Sequence, residues 1–236
     1  MKLSTITIAA AFSTASAAPA NLLEDRASGI QGFDISGWQS TVDFQGAYNS
    51  GARFVIIKAT EGTSHIDSEF SNHYTGATNA GLIRGGYHFA LPDVSSGSEQ
   101  ATFFLAHGGG WSGDGRTLPG MLDIEYNPYG DNTCYGLSSQ AMVSWIQDFV
   151  NTYHGKTGRY PMIYSTADWW TSCTGNSNAF SSTCPLVLAR FGSSPGNIPG
   201  GWPYQTIWQN ADSYTYGGDS DFFNGDMTQL KKMATG

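Results

Sequence analysis

Residues 53–90 read RFVIIKATEGTSHIDSEFSNHYTGATNAGLIRGGYHFA, and the fold turns on how they are read. RFVIIKAT (53–60) is a short, β-branched apolar run of strand length, and IRGGYHFA (83–90) is another. Between them SEFSNHYTGATNAG (68–81) has a helix-like composition and ends on a glycine. Two strands separated by a helix cannot form a tight hairpin. They need a crossover, which makes a parallel βαβ unit.

The same unit recurs on either side. QGFDIS (31–36), GMLDIEY (120–126), YPMIYS (160–165), PLVLARFG (185–192) and YQTIWQN (204–210) are further predicted strands. DFQGAYNSG (43–51), SGSEQATFFLAHGG (96–109) and SSQAMVSWIQDFVNTYHGKTG (138–158) are further helix candidates. The last is the clearest. Ser138 or Ser139 can cap it, Met142, Ile146, Phe149, Val150 and Tyr153 recur at helical spacing, and Gly155 or Gly158 stops it. From about Thr166 no clear helix separates the strands. The expectation is therefore an α/β protein, one irregular, TIM-like β/α barrel with a helix-poor C-terminal half. A doubly wound open sheet is the alternative. It calls for a glycine-rich phosphate loop after the first strand, and FDISGW contains no G-x-G-x-x-G.

The chain's 236 residues suit one such domain, placed at 29–236. The first 18 read as a secretion signal: Lys2, the small apolar stretch ITIAAAF, and A-x-A-type cleavage sites near Ala17 and Ala18. Residues 19–28 read as a pro-segment or linker, and the expected location is extracellular. Cys173 and Cys184 flank a loop rich in Ser, Thr, Asn and Gly, so they are the expected disulfide, with Cys134 left as a small buried hydrophobe. The net charge is −8, with 11 basic residues against 19 acidic ones. That balance excludes nucleic acid and an anionic membrane as main partners. It suits a neutral ring-bearing ligand such as a carbohydrate.

In a parallel barrel the chemistry gathers at the C-terminal strand ends. Acids stand at four such places: Asp34 in GFDISGWQ, Glu61 in KATEG, Asp123 with Glu125 in MLDIEY, and Asp219 with Asp221 in GGDSDFFNGD. Asp123 and Glu125 are two apart on one strand, so both face one side, about 6.6 Å apart. Two such carboxylates cannot both ionise cheaply, and one is pushed up into the range of a general acid. That is the arrangement glycoside hydrolysis needs. His88 could line the cavity or sit satisfied in the core. The five histidines show no paired metal spacing, and no G-x-S-x-G is present. Trp38, Trp169, Trp170, Trp202 and Trp208 could be sugar platforms, but each taken alone is expected in the core.

In order along the chain, GFDISGWQ, KATEG, GGYHFA, MLDIEY, YGLSSQAMVSWIQDFV, PMIYS, IWQNAD and DSDFFNG resemble glycoside hydrolase family 25. These are the Chalaropsis-type lysozymes, or N-acetylmuramidases. The resemblance covers nearly everything from about residue 30 onward. It implies a flattened, irregular barrel and hydrolysis of the β-1,4 bond between N-acetylmuramic acid and N-acetylglucosamine in peptidoglycan, by a monomer without cofactor or metal. It casts Glu125 as general acid/base and Asp123 as support for an attacking 2-acetamido group. Asp34 and Asp219 complete the acid set, with Asp221 standing where the family has Asn. Tyr87 and Tyr164 fall at aromatic cavity positions, and Glu61, His88 and Trp208 are further candidate substrate contacts. A chitinase-like hydrolase would carry D-x-x-D-x-D-x-E on the fourth strand, and the upstream acids are missing here. A non-catalytic carbohydrate-binding barrel would be expected to have lost one of the site acids.

Overall fold

The computed structural model describes residues 29–236. The signal and pro-segment readings lie outside the described residues. Fifteen elements follow in order: β1 (Ile30–Ile35), α1 (Phe44–Asn49), β2 (Phe54–Glu61), β3 (His65–Ile66), α2 (Phe70–Ala80), β4 (Ile83–Phe89), α3 (Gly97–Ala106), β5 (Met121–Asp123), α4 (Ser139–Thr157), β6 (Met162–Thr166), α5 (Ala167–Thr174), β7 (Leu186–Ala189), β8 (Ile207–Ala211), β9 (Asp219–Phe223) and α6 (Met227–Thr235). The sheet runs β1-β9-β8-β7-β6-β5-β4-β2, and a β1–β2 pairing closes it. Eight strands thus form a barrel, while the two-residue β3 adds a flap to the end of β2.

All seven predicted strands are present and pair in parallel from β1 round to β8. The eighth, β9, runs antiparallel to both neighbours, β8 and β1. The connection from β8 is too short for a helical crossover, so the chain has to turn back. Gly217 and Gly218 make that possible. Both have positive φ, and a Cβ on Gly218 would lie 1.8 Å from the carbonyl oxygen of Asp34, so no side chain fits there.

The barrel interior is sorted by the period-2 alternation of strands. Phe54, Ile56, Ile83, Met121, Met162, Val187, Ile207 and Phe223 fill its lower part. Gly32 makes room for the Phe54 ring, which any Cβ there would overlap. Outside, Phe33, Ile35, Val55 and Ile57 pack under α1 and α2. Leu122, Ile124, Ile163, Leu186 and Leu188 pack against α3, α4 and α5 with Phe104, Phe149, Trp169 and Trp170. Helix α4 begins at its Ser138 cap and ends at left-handed Gly158, and every apolar position of its predicted stripe is buried. The helix-poor half has only two short helices. α5 lies between β6 and β7, and α6 follows the last strand, so no helix covers β8 and β9 in sequence.

The disulfide differs from the expected pairing. Cys134 bonds Cys173, with Cα atoms 5.4 Å apart, and Cys184 is free and buried. The last turn of α5 presents Cys173 to the loop that follows β5, and Trp169 Nε1 reinforces the contact by donating to the Thr133 carbonyl at 3.1 Å. Cys184 instead packs into the outer core, where Trp202 Nε1 donates to its carbonyl at 2.7 Å and burial pushes its thiol up to about 12. Nearness along the chain did not reveal which way α5 faces.

Candidate active site

The upper interior positions of the strands are polar. Continuing the inward register past the apolar floor, β1 offers Asp34, β2 Lys58, β4 Tyr87 and Phe89, and β6 Tyr164. β5 offers Asp123, and Glu125 follows just past its end. β8 offers Gln209, and β9, because it is reversed, offers its N-terminal Asp219. These side chains, with Ser36, Trp38 and Met121, line one cavity of about 180 Å³ at the C-terminal mouth. Larger hollows lie beside α3 and on the outer face of β8, β9 and β1, but neither brings carboxyls together.

Gln209 ties the acids to one another. Its Nε2 donates to Asp34 Oδ2 at 2.8 Å and to Asp219 Oδ2 at 3.1 Å, while its Oε1 accepts from the Tyr164 hydroxyl at 2.8 Å. Burial, reinforced by the Asp219 charge, raises Asp34 to about 7 against the Gln209 hydrogen bond. The same two causes raise Glu125 to about 7, with Lys58 opposing. Asp123, 7% exposed, is pushed well above the carboxylate range by burial and then by Glu125, and its Oδ1 has no protein partner. Burial likewise keeps Tyr87 and Tyr164 as neutral phenols.

Asp221 lies one inward step deeper than Asp219 on β9, and it is 1% exposed. No N–H or hydroxyl reaches either of its oxygens. Its neighbour is the Asp34 carboxyl, and burial and that charge hold Asp221 well above the usual range. Held so far above the usual range, Asp221 is a neutral acid beside Asp34. Among the described residues, Lys58 is the one cation lining the cavity. Its Nζ meets Glu61 Oε2 at 2.6 Å, and the other Glu61 oxygen accepts from the Tyr129 hydroxyl. These bonds hold Glu61 below the usual carboxylate range although burial opposes them.

Of the expected residues, Asp34, Tyr87, Asp123, Glu125, Tyr164 and Asp219 meet in the cavity. Glu61 stands in an adjoining groove with Trp38 and Tyr129. Three do not reach it: Asp221, buried beneath Asp219, and His88 and Trp208. His88 follows Tyr87 directly, so it faces the other side of the strand. It is fully buried, bonded to Thr60 Oγ1 and Gln100 Oε1 at 2.8 and 2.9 Å and packed on Phe104 and Phe149. Burial lowers it to about 4, so it is neutral. Trp208 precedes inward Gln209 and so points outward, its Nε1 donating to the Arg190 carbonyl. Gln209 and Lys58 were not singled out from sequence, although strand parity from Ile207 and from Phe54 points at both.

The family model for glycosyl hydrolases family 25 matches residues 33–219. An N,O-diacetylmuramidase of Arthroderma benhamiae is 61% identical over the whole of both chains. An N,O-diacetylmuramidase of Chalaropsis sp is 62% identical over 88% of this chain and all of its own. The solved structure of a family GH25 lysozyme from Aspergillus fumigatus superposes with a TM-score of 0.87 at 65% identity, covering 89% of this chain and all of that one. With four acids gathered at the mouth of a closed barrel and matches of this extent, the chain belongs to glycosyl hydrolase family 25 and is a glycoside hydrolase.

Proposed function

We propose that the protein is a lysozyme that cleaves the β-1,4 bond between N-acetylmuramic acid and N-acetylglucosamine in peptidoglycan, with retention. The observation that carries this reading is the pair Glu125 and Asp123 lining one cavity, where the buried Asp123 Oδ1 faces no protein donor; burial there raises Glu125 to about 7. A carboxyl at about 7 is half protonated near neutral pH, so it can both give and take a proton. Glu125 protonates the leaving glycosidic oxygen as the acetamido oxygen of the cleaved sugar attacks its anomeric carbon, and the C–O bond breaks. The Glu125 carboxylate then takes a proton from water, whose oxygen attacks the same carbon and frees the acetamido group.

Asp123 has its own part in this sequence. The protein supplies no donor that would favour its anion at Oδ1. An acetamido N–H would supply one, lowering the pKa of Asp123 as substrate seats. Asp123 then orients the acetamido oxygen and balances the positive charge that forms. The N-terminal signal pattern and the disulfide support action outside the cell. Glu125→Gln should abolish clearing of a bacterial cell-wall suspension, and undiminished lysis would sink the assignment. Asp123→Asn should keep the fold, seen by circular dichroism, while losing at least about a hundredfold in kcat.

A further inference from the structure

Four of the five tryptophans expected in the core are buried, and Trp38, at the acid cavity, is 91% exposed. Trp208 is buried in a setting of its own. It points out from β8, a strand that no helix follows, and packs on Phe222 of β9 with ring centroids 6.4 Å apart. These two rings and Tyr214, which stacks on Phe33 at 5.1 Å, give an apolar surface to a groove of about 930 Å³. That volume is at the upper end of the range for ligand pockets. The groove lies on the outer wall of the barrel and shares no lining residue with the acid cavity.

Its charge is opposite to that of the protein. The net charge is −8, yet among the described residues no Asp or Glu lines the groove, and its one charged residue is Arg53. Arg53 is held without being neutralised. Its Nη1 donates to the carbonyls of Tyr48 and Ala52 at 2.8 and 2.7 Å, and the guanidinium lies 4.5 Å from the centre of the Tyr48 ring. No carboxylate among the described residues forms an ion pair with it, and its Nη2 makes no bond to them. A fixed guanidinium with free N–H groups is a carboxylate receptor. Two amide oxygens of the same groove, Gln31 Oε1 and Asn210 Oδ1, receive no N–H or O–H from the described residues. The matching ligand has a carboxylate, amide N–H groups and small apolar side chains, and a short peptide with a free carboxyl has all three.

We propose that this outer groove binds the acidic peptide stems of peptidoglycan and so holds the enzyme on the wall while the barrel mouth cuts the glycan. The proposal rests on the lysozyme reading for the source of the peptide. Its test uses the full protein carrying Glu125→Gln and calorimetry with three probes: a free tetrapeptide stem, the same peptide with its carboxyls amidated, and a peptide-free glycan hexasaccharide. The free stem should bind, and amidation should cost roughly tenfold, as for a lost hydrogen bond to a charged group. Thr215 is exposed in the groove next to Tyr216, whose hydroxyl meets Ser50. Thr215→Asp should weaken the free stem several-fold, Thr215→Lys should tighten it, and neither should change binding of the glycan. Arg53→Gln should act as Thr215→Asp does. It also gives up two bonds to carbonyls, so if that variant melts early the Thr215 pair decides. With Glu125 restored, Thr215→Asp should raise KM on intact walls and leave kcat on a peptide-free tetrasaccharide unchanged.

Equal affinity for the free and amidated peptides would overturn the proposal, as would equal affinity of Thr215→Asp and Thr215→Lys for the free stem. So would glycan binding that falls with these variants, which would make the groove a saccharide site. Failure of the lysozyme reading looks different: a stem that binds through this groove in a protein that leaves cell walls intact supports the groove and removes the reaction.

Discussion

Glu125 and Asp221 show two consequences of burying a carboxyl. In the proposed reaction Glu125, raised to about 7, meets the leaving oxygen, and its titration governs rate. Its protonated form is the acid, which makes kcat/KM fall as pH rises through about 7, and a profile flat to strongly alkaline pH would remove Glu125 from that role. Lys58 lowers Glu125, so Lys58→Met should move this limb to higher pH. Asp221 is buried beneath Asp219, its raised carboxyl beside that of Asp34. Asn is a neutral, polar isostere of the protonated acid, so Asp221→Asn should retain activity within about threefold, while Asp221→Leu, which sets an apolar side chain against the Asp34 carboxyl, should lose far more. Residue-scale reading put Asp34, Asp123, Glu125 and Asp219 at the strand ends, and the structure brings these four into one cavity. It failed at His88 and Trp208, which neighbour true cavity residues but lie on the opposite face of their strands.

The elements that were legible are those whose side chains behave as their type expects. β2, β4 and α4 show clean apolar patterns. β9 was not seen as a strand, because its inward positions hold Asp219 and Asp221 where a core strand has aliphatic residues, and DSDFFNG reads as a site loop. α5 is eight residues long with two tryptophans, too short and bulky to announce itself. α6 does carry a D-x-x-Q capping box at Asp226 and Gln229, a signal that was present and not used. The Cys134–Cys173 bridge spans 39 residues and staples the loop that carries Tyr129. In the chain-entropy model such a closure contributes about 4 kcal/mol. Cys134→Ser should lower the melting temperature by several degrees, measured by calorimetry.

At the scale of the whole molecule, an acidic protein keeps five carboxyls around one barrel mouth with a single lysine among them. Asp34, Glu125, Asp123, Asp219 and Asp221 are all raised above their ordinary values, with burial the first cause in each. The folded state binds protons at these groups that the unfolded chain has released, so the stability they contribute is fully present below the ordinary carboxylate values and is lost as pH rises through the raised ones, whereas the lowered Glu61 and His88 contribute stability that is lost as pH falls. Glu125→Gln removes one such group. Glu125 rises from 4.5 to about 7, so the variant should be more stable than the native protein by about 1–3 kcal/mol at pH well above 7 and unchanged only below 4.5. Equal melting temperatures on both sides of neutrality would contradict this linkage.

The reversed last strand also sets when the enzyme can first exist. Asp34 and Asp219 are hydrogen-bonded to the same Gln209 amide, yet 219 − 34 = 185 residues of chain separate them. A growing polypeptide acquires Asp34, Lys58, Asp123 and Glu125 early, but it has no eighth wall until β9 pairs with β1 and β8. Hydrolysis is therefore a property that only the finished chain acquires, and its onset during synthesis reports barrel closure.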